Sequence, residues 1–200
     1  MSSEKSFWDK YAKVYDLFIS KDKKAYENIY LSIRENLNKD MKVLEVCTGT
    51  GIIARNICND TKGLIAVDYS NEMINLAKKK SYGKDINYMI KNAYNMDFED
   101  DSFDTVIIMN SLHILKSPHL VLNEIKRVLK EDGLLIAPNF THKYSLNKML
   151  LLSKLTGFKV YKVWGMLEYV DFIEKSGFKV IKSKMFKSSY PITYVEAKSN

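Results

Sequence analysis

Apolar and polar positions along the 200 residues divide the chain into alternating strand-like and helix-like stretches. Short aliphatic or β-branched runs at Val43–Val46, Leu64–Val67, Ile86–Ile90, Thr105–Met109 and Leu134–Ala137 read as buried strands of a parallel sheet. Between them, apolar residues recur every three or four positions over Tyr26–Leu37, Ile52–Ile57, Asn71–Lys80 and Pro118–Lys130, which predicts amphipathic helices. Ser70 is placed to cap the third of these, with Glu72 suited to its first turn, and Asp132-Gly133 reads as the stop of the fourth. A further helix over Leu167–Ser176 leads into two alternating runs, Phe178–Phe186 and Ile192–Ala197. These join through Ser-Ser-Tyr-Pro and predict a hairpin. The pattern gives an α/β, doubly wound, seven-stranded sheet, mostly parallel with an antiparallel C-terminal hairpin strand. It fits one domain over 1–200, with a helical segment 1–38 ahead of the first strand and a variable segment 139–165 after the fifth.

Composition narrows the setting. A chain of this length buries roughly 70% of its unfolded surface. No apolar run reaches the roughly eighteen residues of a membrane span, and Met1-Ser-Ser-Glu-Lys lacks a signal-peptide pattern, so a cytoplasmic protein is expected. Cys47 and Cys58 come without a C-x-x-C or a His cluster, so reduced thiols and no metal are expected. The net charge of +7 is uneven: residues 1–138 carry 20 Lys+Arg and 20 Asp+Glu, residues 139–200 carry 11 Lys and 4 acids. A basic C-terminal third suits an anionic lipid surface, an acidic substrate or nucleic acid, and equally a solvated lysine-rich face.

The chemistry centres on Val43-Leu44-Glu45-Val46-Cys47-Thr48-Gly49-Thr50-Gly51 and the helix after it. A strand, a glycine turn and a helix N-terminus present backbone N–H groups to a ligand. The next strand ends in Asp68, whose carboxylate can accept both ribose hydroxyls, so the pattern points to a nucleoside cofactor. Gly49-Thr50-Gly51-Ile52-Ile53-Ala54 satisfies the dinucleotide fingerprint G-x-G-x-x-G/A, which keeps an NAD-dependent oxidoreductase open. Against it stand Glu45, the roughly forty residues before the first strand, and the terminal hairpin.

Glu45 and the turn resemble motif I, E/D-x-G-x-G-x-G, of the class I S-adenosylmethionine (SAM)-dependent methyltransferases, with Cys47 at the first glycine. Further similarities follow in order: Trp8-Asp9 with Ala12 and Tyr15-Asp16, Asp97–Asp104 against "pF-x-D-x-S-F-D", Leu112-His113 against "L-H-H-L", and Val128–Gly133 against "V-L-K-P-G-G". The nearest group is the small-molecule one that includes the ubiquinone/menaquinone-biosynthesis and phospholipid N-methyltransferases. The resemblance implies a Rossmann-like fold, SAM as cofactor with S-adenosylhomocysteine as product, and no metal. It makes segment 1–38 a lid and 139–165 a cap.

It places cofactor binding at Glu45, Cys47, Thr48, Gly49, Gly51, Asp68, Tyr69, Met73, Asn92, Ala93 and Asn110. Glu45 orders the turn, the two glycines allow close approach near the carboxypropyl end, Asp68 holds the ribose, and Ile52 or Met73 walls the adenine. Asn92 replaces the family's Asp, and its carbonyl can accept from the adenine amino group. The acceptor-side candidates are His113, His142, Tyr11 and Tyr15. His113 is the candidate base if the acceptor must lose a proton. The acceptor is expected to be a small O, N or S nucleophile. The alternatives are a lipid-directed enzyme in peripheral contact with an anionic membrane, and a SAM-binding protein without catalysis. A nucleic-acid substrate is disfavoured, since no N-P-P-Y-like run occurs.

Overall fold

The computed structural model describes residues 8–10, 12, 21–141 and 159–199. Its strands are β1 (Lys42–Val46), β2 (Gly63–Asp68), β3 (Asn87–Ile90), β4 (Phe103–Ile108), β5 (Leu129–Ile136), β6 (Asn139–Phe140), β7 (Phe178–Phe186) and β8 (Ile192–Ser199). Its helices are α1 (Lys23–Arg34), α2 (Ile52–Ile57), α3 (Asn71–Lys80), α4 (Pro118–Val128) and α5 (Met166–Lys175). The strands form one sheet in the order β3-β2-β1-β4-β5-β8-β6, with β7 also paired to β8. β1 to β5 are mutually parallel where they pair, and β8 runs antiparallel to β5, β6 and β7.

Period-two alternation sorts each central strand between two cores. Leu44 and Val46 of β1, with Val106 and Ile108 of β4 and Leu135 of β5, pack under α4 and α5 through Val121, Leu122, Ile125, Tyr169 and Ile173. Val43, Leu64, Ala66, Ile107 and Ile136 face the other way, against Ile29 and Ile33 of α1, Ile53 and Ile57 of α2, and Ile74 and Ala77 of α3. Burial on both faces explains why these strands read as continuous apolar runs. Ser70 caps α3 as its sequence predicts, accepting from Met73 N at 3.1 Å.

Three details depart from the sequence reading. α4 stops at Val128 rather than Lys130, because the Arg127 and Val128 carbonyls accept from Asp101 and Ser102 N–H, and Leu129 already pairs with Phe103. Asp132-Gly133 therefore lies in an irregularity within β5, not at the helix end. Among the described residues the sheet has eight strands rather than seven, the extra one being two-residue β6. Much of the basic excess finds a structural place on β7, whose Lys179, Lys182 and Lys184 are exposed along a strand that pairs only with β8. Lysines on an edge strand block further pairing.

The crossover from β1 to α2 positions the site. Gly51 is left-handed at φ 73°, and a Cβ there would stand 2.3 Å from the Tyr88 hydroxyl oxygen and 3.1 Å from Ala77 Cβ. Its missing side chain thus lets α2 sit down on β3 and α3. Gly51→Ala combines left-handed strain of 1–2 kcal/mol with overpacking of similar size, about 3 kcal/mol in all. Thermal unfolding should show a midpoint lowered by roughly 6–12 °C, partly recovered when Tyr88→Phe is added.

Candidate functional site

In an open α/β sheet, ligands bind beyond the strand C-termini where the strand order reverses. Here that point lies between β1 and β4. The turn after β1 alternates left-handed residues: Cys47 at φ 56°, Gly49 at 56° and Gly51 at 73°. Thr48 N donates to Val67 O at 2.9 Å and Gly51 N to Thr48 O at 3.0 Å, so the turn is tied to β2 and to itself. Gly51 spends its N–H inside the turn, and a Cβ there would meet Tyr88, so its bareness serves the packing of the turn.

Glu45 lies behind the turn, buried, with Oε2 accepting from Ala54 N at 2.9 Å. Burial pushes its carboxyl up to about 8, against the opposing pull of Thr48, Ala54 N–H and Arg55, so it is protonated at neutral pH. It braces α2 against the turn. Asp68, at the tip of β2, is half-buried and points its carboxylate at the turn: Oδ2 accepts from Gly49 N at 2.8 Å and Oδ1 from Ser70 N at 2.9 Å. Burial raises its pKa, while the Ser70, Gly49 and Tyr69 N–H groups oppose the rise. Both oxygens are fixed in place, each with a remaining lone pair for a hydroxyl donor.

Tyr69 beside it is exposed, whereas Met73 is buried in the first turn of α3. Sequence reasoning assigned no role to Asp9. Its Oδ1 accepts from Ser70 Oγ at 2.5 Å and from Glu72 N at 3.3 Å, which brings the N-terminal segment onto the start of α3, two residues from Asp68. The W-D pair of the opening was its only signal.

After β3, Asn92 and Asn95 bridge a tight turn around buried Ala93. Asn92 is exposed and its Oδ1 already accepts from Tyr94 N at 3.1 Å, so one lone pair of that oxygen remains for an adenine amino group. Asp97–Asp104 supplies partners to Arg127 and Lys130 through Asp100 and Asp104, a structural duty.

Across the switch point stands Asn110, left-handed at φ 49° and buried, its N–H donating to Pro138 O at 2.8 Å. Its Nδ2 donates to the Tyr26 hydroxyl at 2.9 Å, and its Oδ1 is buried without a partner. Tyr26 comes from α1 and was read only as part of that helix; nothing in its spacing marks it as polar furniture of the site. His113, in the turn Leu112–Ile114, is buried, with Nδ1 3.1 Å from Asn139 Oδ1. Asn139 Nδ2 donates to Phe140 O, so its Oδ1 accepts and the imidazole carries its proton on Nδ1. Desolvation pulls the imidazole down to about 4, outweighing the Asn139 bond. It is neutral at pH 7, the form that can accept a proton, though a weakly basic one.

The Phe140 ring stands edge-on to His113 at 5.5 Å and to Tyr190 at 5.9 Å, and the His113 carbonyl accepts from Tyr161 N and Lys162 N. Tyr11, Tyr15 and His142 lie outside the described residues. Among the described residues no cluster of His, Cys, Asp and Glu offers a metal site, and no helix is long and apolar enough to cross a membrane.

Residues 44–137 match the family described as a methyltransferase domain. The chain is 30% identical over 198 residues to an uncharacterised protein of Methanocaldococcus jannaschii, covering 96% of this chain and 91% of that one. It is 33% identical over 117 residues to the ubiquinone/menaquinone biosynthesis C-methyltransferase of Geotalea daltonii, covering 54% of this chain and spanning only 50% of that protein. The fold superposes on a SAM-dependent methyltransferase structure from Thermotoga maritima with a TM-score of 0.78 at 19% identity, covering 98% of this chain and 99% of that one. With the turn, the strand order and these relatives in agreement, the chain belongs to the class I SAM-dependent methyltransferases and is similar to the ubiquinone/menaquinone-biosynthesis group.

Proposed function

We propose that the chain holds SAM across the C-terminal ends of β3, β2 and β1 and transfers its methyl group to a small-molecule acceptor. The observation that carries the reading is Asp68: a carboxylate at the tip of β2, fixed by Gly49 N–H and Ser70 N–H, with lone pairs left for two ribose hydroxyls. The unpartnered Asn110 Oδ1 across the switch point fits the same ligand, since a buried acceptor costs free energy until a donor arrives. Asn92 and Ala93 would hold the adenine, Asp68 the ribose, and the turn around Gly49 the amino-acid end.

Bound there, the cofactor supplies a methyl group activated on sulfonium. This chain's part is orientation and exclusion of water, and orientation alone is worth roughly 7–11 kcal/mol. Among the described residues, His113, Phe140 and Tyr190 stand together on the acceptor side. Three aromatic rings suit a small, largely uncharged acceptor, and the quinone-pathway relatives support that class. The low pKa of His113 makes it a weak base, which suits a nucleophile that already carries a lone pair or arrives deprotonated.

A thermal-shift titration tests the reading. SAM or S-adenosylhomocysteine at about a hundred times its Kd should raise the midpoint by roughly 5–10 °C, with no shift from NADH. A shift with NADH alone overturns it. Asp68→Asn should weaken both adenosyl ligands about a hundredfold, the weight of one or two hydrogen bonds to a charged group.

The buried groups give two further expectations. Glu45 stays protonated in the folded chain up to about pH 8 but ionises near 4.5 when unfolded, so folding takes up a proton between those values and stability falls as pH rises. His113 works the other way between 6.5 and about 4, since only the unfolded chain binds its proton there. The two offset each other from about 4.5 to 6.5. From pH 6.5 to 8 denaturant unfolding should show stability dropping by about 1.4 kcal/mol per pH unit, and Glu45→Gln should flatten that decline. In NMR titrations the His113 ring resonances should stay those of neutral imidazole from pH 8 down to 5; an inflection near 6.5 would restore it as a base.

A further inference from the structure

Asp68 carries the cofactor reading, and Asp9 bears on it from outside the sheet. We infer that Asp9 is a positioning residue for the ribose carboxylate: from the N-terminal segment it holds Ser70, and with it the backbone N–H that fixes Asp68. The inference rests on the cofactor reading above.

Its first support is the direction of the hydrogen bonds. Ser70 is buried and links the two acids. Its N–H donates to Asp68 Oδ1 at 2.9 Å, and its hydroxyl oxygen accepts from Met73 N at 3.1 Å. The one hydroxyl proton goes to Asp9 Oδ1 at 2.5 Å, a direction that is fixed because a carboxylate only accepts. Asp9 Oδ1 also takes Glu72 N at 3.3 Å, so it grips the chain at two points just after Asp68. The Tyr69 N–H, between Asp68 and Ser70, faces the Asp68 carboxylate as well. Two of its three backbone donors therefore lie in the short stretch that Asp9 restrains, and the third, Gly49 N, comes from the turn.

The second support is that α3 does not need Asp9 for its own sake. Ser70 already caps the helix and Glu72 already puts an acid in its first turn. Ala12, one turn along from Asp9, is buried, so the segment is seated on the fold by more than this contact. The placement also has a cost: burial raises the Asp68 pKa most, and the Asp9 charge adds to that rise. What the fold gains is a fixed course for Tyr69 and Ser70, whose N–H groups set the tilt of the Asp68 carboxylate. A ribose presents two neighbouring hydroxyls to that carboxylate, so its binding depends on the tilt.

Calorimetric titration tests this with S-adenosylhomocysteine, with adenosine, and with 2′,3′-dideoxyadenosine, which lacks the ribose hydroxyls. Asp9→Ala should weaken the first two about tenfold, the weight of one hydrogen bond to a charged group, and leave the dideoxynucleoside unchanged. Asp9→Asn, which keeps an oxygen for Ser70, should bind adenosine more tightly than Asp9→Ala does. In an Asp68→Ala background no carboxylate is left to position, so adding Asp9→Ala should cost nothing more. Unfolded chain lowers the stoichiometry of every titration alike, so a variant that folds poorly still reports the ratio of adenosine to dideoxyadenosine affinity. Unchanged adenosine binding in Asp9→Ala, equal losses for adenosine and the dideoxynucleoside, no recovery in Asp9→Asn, or an additive loss on top of Asp68→Ala overturns the inference. If the wild-type chain binds neither S-adenosylhomocysteine nor adenosine, the cofactor reading itself fails and takes this inference with it.

Discussion

The site depends on a turn that the backbone would not adopt unaided. Three of the five residues from Cys47 to Gly51 are left-handed, and the chain holds them there from two sides. Behind, buried Glu45 ties the turn to α2 through Ala54 N; in front, Asp68 ties it to β2 through Gly49 N. The two acids sit in different environments. Glu45, sealed off and given one backbone donor, Ala54 N, keeps its proton. Asp68, half-buried at the strand tip, is held by two, Gly49 N and Ser70 N. Burial raises the pKa of both, and the backbone donors work against that rise at Asp68.

That division was partly legible in the sequence. Strands buried on both faces announce themselves as apolar runs, and the Glu45-to-Gly51 spacing with Asp68 after the next strand marks the turn and the strand tip that the fold brings side by side. What the pattern could not carry was the use made of each glycine. Gly51 looks like a ligand-facing residue because the motif is written that way, yet its space is filled by Tyr88, a contact between β3 and the start of α2 that no local spacing encodes. Tyr26 escaped for a related reason. At i, i+3 and i+4 from other apolar residues it counts as core, and its hydroxyl meets Asn110 from 84 positions away. The end of α4 was misjudged where tertiary pairing overrode a local stop signal: Asp101 and Ser102 took the last carbonyls before Asp132-Gly133 was reached.

The acceptor side shows how far chemistry can be inferred from residue type alone. A histidine after β4 suggests a base, but a buried imidazole held by a neutral amide is a weak one. Methyl transfer from a sulfonium does not require a base when the nucleophile already has a free lone pair. A site that relies on orientation can therefore work with a histidine of low basicity.

Cys47 is the point at which this chain leaves its family, and the same electrostatics explain why it is tolerated. A non-glycine residue at φ 56° carries roughly 1–2 kcal/mol of strain, partly offset because a glycine would lose more freedom on folding. The greater hazard is chemical, since a thiolate near a sulfonium methyl donor would itself be methylated. Thiolate, not thiol, is the nucleophile. Burial pushes the Cys47 thiol well above its ordinary range, and the Asp68 and Glu45 carboxyls push in the same direction, outweighing the hydrogen bond from Ser111. Burial first, and Asp68 next, thus keep the Cys47 thiol protonated, so the turn holds a sulfur in its unreactive form.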